Sequence, residues 1–156
     1  MVKAILQAPE VTVSIEQAAQ RSRIGPVTLI LRVADVEASL ASYTGPLGFT
    51  MDWRTANFLS VSRGKANLFL VEGEQGNSGT WLWIAAEDTE RLHAEWTASG
   101  AMIRQGPTNF PWGSLEIQVT DPDGHVLRFG SDGKNDTPMG PWMDAEGKLW
   151  PMEPWN

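Results

Sequence analysis

The sequence predicts an α+β fold in which two βαβββ modules pair, followed by an aromatic, proline-rich strap. Three observations predict it. The order of β-rich and helix-capable segments over residues 26–72 recurs over residues 80–131. Landmarks fall in matching places of the two stretches: Asp35 and Asp88, Tyr43 and Trp96, Gly48 and Gly100, Leu68-Phe69-Leu70 and Leu127-Arg128-Phe129. An internal duplication of about 50 residues is the economical reading, with too few copies for a solenoid. The clearest single stretch is 111–130, where Leu115, Ile117 and Val119 alternate with Glu116, Gln118 and Thr120. Asp121-Pro122-Asp123-Gly124 then turns the chain into a second alternating strand.

In order, residues 1–25 read as a leader or arm: an extended piece near Glu10 to Ile15, then a polar, helix-capable run from Glu16 to Arg21. Val27 to Val33 is β-rich, and Asp35 is a helix N-cap before the stripe Val36, Leu40, Tyr43, Leu47. Phe49 to Arg54, Asn57 to Ser62 and Ala66 to Glu72 read as three strands. After a Gly/Asn/Ser-rich loop, Thr80 to Ala85 starts the second module, with Asp88 capping a helix that carries Thr89, Leu92, Trp96 and Ser99 on one stripe. Ala101 to Gln105 is expected as strand and Pro107 to Pro111 as loop before the hairpin. The strap, 132–156, holds Trp142, Trp150 and Trp155, with a turn expected at Asp144-Ala145-Glu146-Gly147. So many aromatic side chains disfavour a solvated tail; it is expected to pack on its own module or a partner, even over the groove.

Composition narrows the function classes. At 156 residues the chain suits one domain with a real core. It has no cysteine, which excludes disulfides, thiolate metal sites and cysteine nucleophiles. A net charge of -7 argues against a nucleic-acid partner and favours cationic ligands by steering. No run suits a membrane span, and the apolar part of the N-terminus is short for a signal peptide, so a soluble cytoplasmic protein is expected. Eight Trp is a high count, met by burial or by stacking on a ligand.

Alternation also assigns faces. If Leu29, Leu31, Leu68, Leu70, Leu82, Ile84, Leu127 and Phe129 face the helices, then Arg32, Asn67, Phe69, Trp81, Trp83, Glu116, Gln118 and Arg128 face the other way, joined by Phe58. That wall is aromatic with a few polar groups, the make-up of a small-molecule site. His93 falls on a helix and His125 at the start of a strand, each expected as a surface or packing residue.

The chain resembles the vicinal oxygen chelate superfamily of glyoxalases, extradiol dioxygenases and bleomycin-resistance proteins. The resemblance rests on Leu31-Arg32-Val33-Ala34-Asp35, Ser39-Leu40, Tyr43, Leu47-Gly48-Phe49, and Pro111-Trp112-Gly113 with Asp121-Pro122-Asp123-Gly124. It is nearest to the bleomycin-resistance proteins, through Phe58, Asn67-Leu68-Phe69, Trp81-Leu82-Trp83 and Ala94-Glu95-Trp96, over about residues 26–131. It implies mixed sheets curled around a cavity and a homodimer that completes its cavities between subunits. In catalytic members four ligands there hold a metal; the matching places here are Thr28, Phe69, Trp81 and Arg128, which offer a divalent ion almost nothing.

No metal, no other cofactor and no catalytic residue is therefore expected. The expected function is non-catalytic sequestration of a planar aromatic, cationic, antibiotic-like ligand. Its ligand-binding residues are Arg32, Phe58, Asn67, Phe69, Trp81, Trp83, Trp112, Glu116 and Arg128, and the resemblance implies that rings at Phe58 and Trp112 sandwich the ligand. The alternative is a lyase, isomerase or dioxygenase-like enzyme working without the usual metal, with Glu116, Arg32 and Arg128 as acid, base or oxyanion groups.

Overall fold

A computed structural model describes residues 22–135 and 138–152. The leader's extended piece and helix-capable run, and Trp155, lie outside the described residues. The first module runs β1 (Leu29–Arg32), α1 (Val36–Thr44), β2 (Thr50–Arg54), β3 (Phe58–Arg63) and β4 (Ala66–Val71). The second runs β5 (Trp81–Ala85), α2 (Thr89–Ser99), β6 (Ile103–Phe110), β7 (Ser114–Thr120) and β8 (Val126–Asp132). Each module builds one four-stranded mixed sheet, in the orders β1-β4-β3-β2 and β5-β8-β7-β6. In both, the first strand lies parallel to the last and the other pairs are antiparallel. The fold is thus α+β with duplicated βαβββ modules.

Local chemistry sets the helix boundaries. Asp35 accepts from the N–H groups of Glu37 and Ala38, and Asp88 from that of Arg91, so each helix starts where an aspartate satisfies its orphan donors. Such a cap contributes about 1 kcal/mol. The second helix stops at Gly100, whose φ of 79° suits a residue without a side chain.

The helix-facing side of both sheets forms one core: Leu31, Leu59, Val61, Leu68 and Leu70 from the first, Leu82, Ile117, Val119, Leu127 and Phe129 from the second, with Tyr43, Leu47 and Trp96 between them. Each buried side chain of this size contributes roughly 1.5–3 kcal/mol. Polar contacts lock the modules together. Tyr43 Oη donates to Asp121 Oδ2 at 3.0 Å, Ser39 Oγ to Asp123 Oδ2 at 3.1 Å, and the Ala34 N–H to Asp123 Oδ1 at 2.7 Å. The Asp121-Pro122-Asp123-Gly124 turn therefore clamps the first module as well as closing a hairpin. His125, fully buried, accepts the Thr80 N–H at Nδ1 (3.0 Å), so its Nε2–H donates to the Arg32 carbonyl (2.7 Å). It is a packing residue that bridges the modules.

Two expectations are corrected. The first strand is shorter than 27–33, at Leu29–Arg32. Residues 107–110 are strand and not loop, because β6 continues to Phe110 across two register shifts; Pro107 falls in the second shift, where the ladder does not need its missing N–H. Beyond the second sheet, β9 (Trp142–Met143) pairs antiparallel with β10 (Leu149–Trp150) around the expected turn. No described helix is long and apolar enough to cross a membrane.

Candidate functional site

The face of the second sheet that turns away from the helices carries Trp81 and Trp83 from β5, Arg128 from β8, and Glu116 and Gln118 from β7. The registers Trp83↔Arg128 and Gln118↔Arg128 put these side chains side by side. Gly130, opposite Glu116, leaves room for Trp83: a Cβ there would meet the indole Cζ2 at 2.7 Å.

Glu116 organises this face from below. It is 2% exposed, and its two oxygens accept four bonds. Oε1 takes Trp112 Nε1–H at 2.8 Å and Ser114 Oγ–H at 2.9 Å; Oε2 takes Arg128 Nε–H at 3.0 Å and Nη2–H at 2.5 Å. Arg128 in turn lies 5.8 Å from the Trp112 ring and 5.9 Å from that of Phe110, and those two rings stack at 4.6 Å. Trp112, in the turn between β6 and β7, is held by this carboxylate with its indole half exposed.

The chain after β8 returns across the edge of this sheet. The Gly140 N–H donates to the Asn109 carbonyl at 2.9 Å, and Gln105 Nε2 to the Pro141 carbonyl at 2.8 Å. Arg104 donates through Nη2 to the carbonyls of Asp144 and Ala145, through Nη1 to Gln118 Oε1 at 2.7 Å, and lies 5.2 Å over the Trp81 ring. The result is a cavity of about 400 Å³ lined by Trp81, Trp112, Gln118, Arg128, Trp142 and Met152. Three indoles, a thioether, an amide and a guanidinium make up its wall.

The corresponding face of the first sheet is built differently. Phe58 stacks on Trp53 at 5.5 Å and tilts against Phe69 at 5.2 Å, while Trp53 meets Phe69 edge-on at 5.3 Å. Beside the rings, Asp52 accepts from Ser60 (2.9 Å), Ser62 (2.6 Å) and Asn67 (3.2 Å), and Thr28 donates to Asn67 Oδ1 at 2.9 Å. Arg32 shares this face opposite Val71 and donates to the Glu74 carbonyl at 2.5 Å.

The expected site residues therefore fall into two groups. Trp81, Trp83, Trp112, Glu116 and Arg128 share the second sheet's face, and all but Trp83 and Glu116 line the cavity. Arg32, Phe58, Asn67 and Phe69 lie on the first, so Phe58 and Trp112 belong to different sheets. Arg104, Trp142 and Met152 were not among the expected site residues, nor were Asp52 and Trp53. A wider groove of about 840 Å³ between the modules is backed by core residues such as Leu68, Leu82 and Phe129 and mixes Arg63, Lys65, Glu87 and Glu95 at its rim. Of its four rings, Phe49, Trp96 and Phe129 are buried in the core and only Trp83 is open to a ligand.

The four places matching a family metal site do not fit a divalent ion. Thr28 is bonded to Asn67, Phe69 and Trp81 offer rings, and Arg128 is a cation already paired with Glu116. Among the described residues no three His, Cys, Asp or Glu side chains cluster as a metal site would require.

Comparison with known proteins follows the same lines. The profile of the Glyoxalase/Bleomycin resistance protein/Dioxygenase superfamily matches residues 23–129. No curated protein matches the chain by sequence. Among solved structures, the bleomycin-binding protein of bleomycin-producing Streptomyces verticillus, crystallised with copper(II)-bleomycin, is similar with a TM-score of 0.62 and 24% identity, covering 73% of this chain and 100% of that one. The bleomycin resistance determinant encoded on transposon Tn5 gives a TM-score of 0.62 and 22% identity, covering 70% and 98%. A glyoxalase/bleomycin resistance protein/dioxygenase from Nocardioides gives 0.61 and 19%, covering 79% and 93%. At these identities the likeness establishes the fold, and the strap falls beyond the matched profile.

Proposed function

Because the chain belongs to the Glyoxalase/Bleomycin resistance protein/Dioxygenase superfamily, we propose that it is a cytoplasmic, non-catalytic binding protein that sequesters a planar aromatic, antibiotic-like molecule. The observation that carries this reading is the cavity wall of Trp81, Trp112 and Trp142 around a space of about 400 Å³. That is the size and make-up of a small-molecule site. Each ring contact contributes about 0.5–1.5 kcal/mol beyond area burial, so three rings support useful affinity.

Glu116 argues against the enzymatic alternative. A general base needs a free lone pair within reach of substrate, and this carboxylate is buried with four donors already upon it. Its role in this reading is to hold Trp112 and Arg128 in place for the ligand.

A homodimer completes the proposal. The first sheet's face exposes Ile30 and Trp53 beside the Asp52 carboxylate, and the second presents Arg104 and Arg128. Laying one chain's first face over the partner's cavity would bring opposite charges together and let Phe58 approach a ligand on Trp112. The net charge of -7 and Asp52 support a cationic group on the part of the ligand that reaches the first module.

Tryptophan fluorescence titrated with bleomycin and other planar antibiotics tests the proposal. Saturable quenching by at least one such compound is expected, and a flat response across the panel overturns it.

A further inference from the structure

The cavity wall can be read as an inventory of hydrogen-bonding groups, and the inventory is one-sided. Its nearby carboxylate is already used. Both oxygens of Glu116 carry two donors each, which fills the lone-pair sites of a carboxylate. Gln118 Oε1 accepts from Arg104. The donors are only partly used. Arg128 has five N–H groups and spends two on Glu116; its side chain is 28% exposed and lines the cavity. Gln118 Nε2 spends one N–H on Gln105 Oε1. Charge leans the same way among the described residues of the wall: Arg104 and Arg128 stand against the carboxylate of Glu116.

From this we infer that the cavity selects flat aromatic molecules bearing an acceptor or anionic edge, such as a carboxylate, phenolate or ring carbonyl, with Arg128 as the specificity-determining residue. The inference rests on the planar-ligand reading above and names the ligand class of that same cavity. It departs from the ligand charge that composition favours. An acceptor edge meets the unspent N–H groups of Arg128 while the ring lies against Trp81, Trp112 or Trp142. An ammonium in the same place meets a guanidinium and finds no open lone pair on Glu116. Charge-assisted bonds of the first kind are about twice as strong as neutral ones. Buried like charges are correspondingly unfavourable.

A matched series on one ring system tests this: naphthoate, naphthamide and naphthylmethylammonium, titrated calorimetrically into the full chain at physiological salt. Naphthoate is expected to bind about tenfold or more tighter than the ammonium, with the amide between. Ammonium binding as tight as naphthoate, or tighter, overturns the charge inference and leaves the planar-ligand reading standing. Binding of none of the three by a protein that does bind bleomycin overturns it likewise, whereas no binding of any planar compound overturns both. In the double variant Glu116→Gln with Arg128→Met, which removes both charges together, the preference for naphthoate over naphthamide should fall to within about twofold. A preference that survives takes the role away from Arg128.

Discussion

Asp52 and Arg104 stand at the same bulge in the two duplicated modules, and they carry opposite charge. In β2 the register steps from Met51↔Val61 to Trp53↔Ser60, leaving Asp52 as the extra residue; in β6 it steps from Ile103↔Val119 to Gln105↔Gln118, leaving Arg104. The extra residue breaks the alternation, so Asp52 and Trp53 both reach the first sheet's open face, and Arg104 and Gln105 both reach the second's. Duplication supplied one scaffold twice, and this position puts a carboxylate on one open face and a guanidinium on the other.

Arg104 joins the strap to the cavity wall, so Arg104→Met should loosen the strap without unfolding the core. Faster amide exchange over residues 138–152, and a roughly tenfold loss of affinity for a planar ligand, are expected from removing hydrogen bonds of a charged donor. Unchanged exchange in that segment would show that the Asn109 and Gln105 contacts suffice to hold it.

Glu116→Ala strips four donors of their acceptor and leaves Arg128 without its partner. Because Arg128 is partly solvated, the expected loss sits at or below the low end of the range of about 3–5 kcal/mol for breaking a buried pair, read by urea unfolding. Glu116→Gln, which keeps an acceptor for Trp112 and Ser114, should lose less. Equal losses in the two variants would deny the carboxylate its organising role.

Gly130→Ala puts a methyl group 2.7 Å from Trp83 Cζ2 and 2.8 Å from Ser114 Oγ. Trp83, half exposed at an edge strand, can move away, so the stability loss should be small, about 1 kcal/mol. A shifted Trp83 indole resonance is expected; an unmoved one would contradict the packing of that ring over Gly130.

Tyr43→Phe leaves Asp121 Oδ2 buried without a donor. Burial already raises the Asp121 pKa, opposed by His125 and by the Tyr43 bond. A raised native pKa means that the group's contribution is fully present below the ordinary aspartate value and is lost as pH rises through the native one. Removing Tyr43 Oη raises that pKa further. The cost of the variant, about 1–3 kcal/mol at neutral pH, should therefore shrink at acidic pH. Urea midpoints at the two pH values check this, and a cost that grows on acidification would contradict it.

The duplication, the two aspartate caps, the Asp121-Pro122-Asp123-Gly124 turn and the helix-facing leucines were legible in the sequence, because each is a local pattern with a local cause. The site was legible in part. Alternation placed Trp81, Trp83, Glu116 and Arg128 on one face, as found, yet a bulge has no periodic signature, so Asp52, Trp53 and Arg104 were invisible as site residues. Glu116 looked like a ligand contact because strand alternation assigns a face without telling whether neighbours will saturate the carboxylate. The pairing of Phe58 with Trp112 is implied by the family resemblance and not by alternation, and the two residues belong to different sheets.

The most direct measurement is the response of the indole N–H resonances in a nitrogen-15 spectrum of the full chain titrated to saturation with a planar ligand that quenches its fluorescence. The account predicts that the signals of Trp81, Trp112 and Trp142 move together while buried Trp96 stays in place. Movement confined to Trp53 on the opposite module, with those three unmoved, would contradict it.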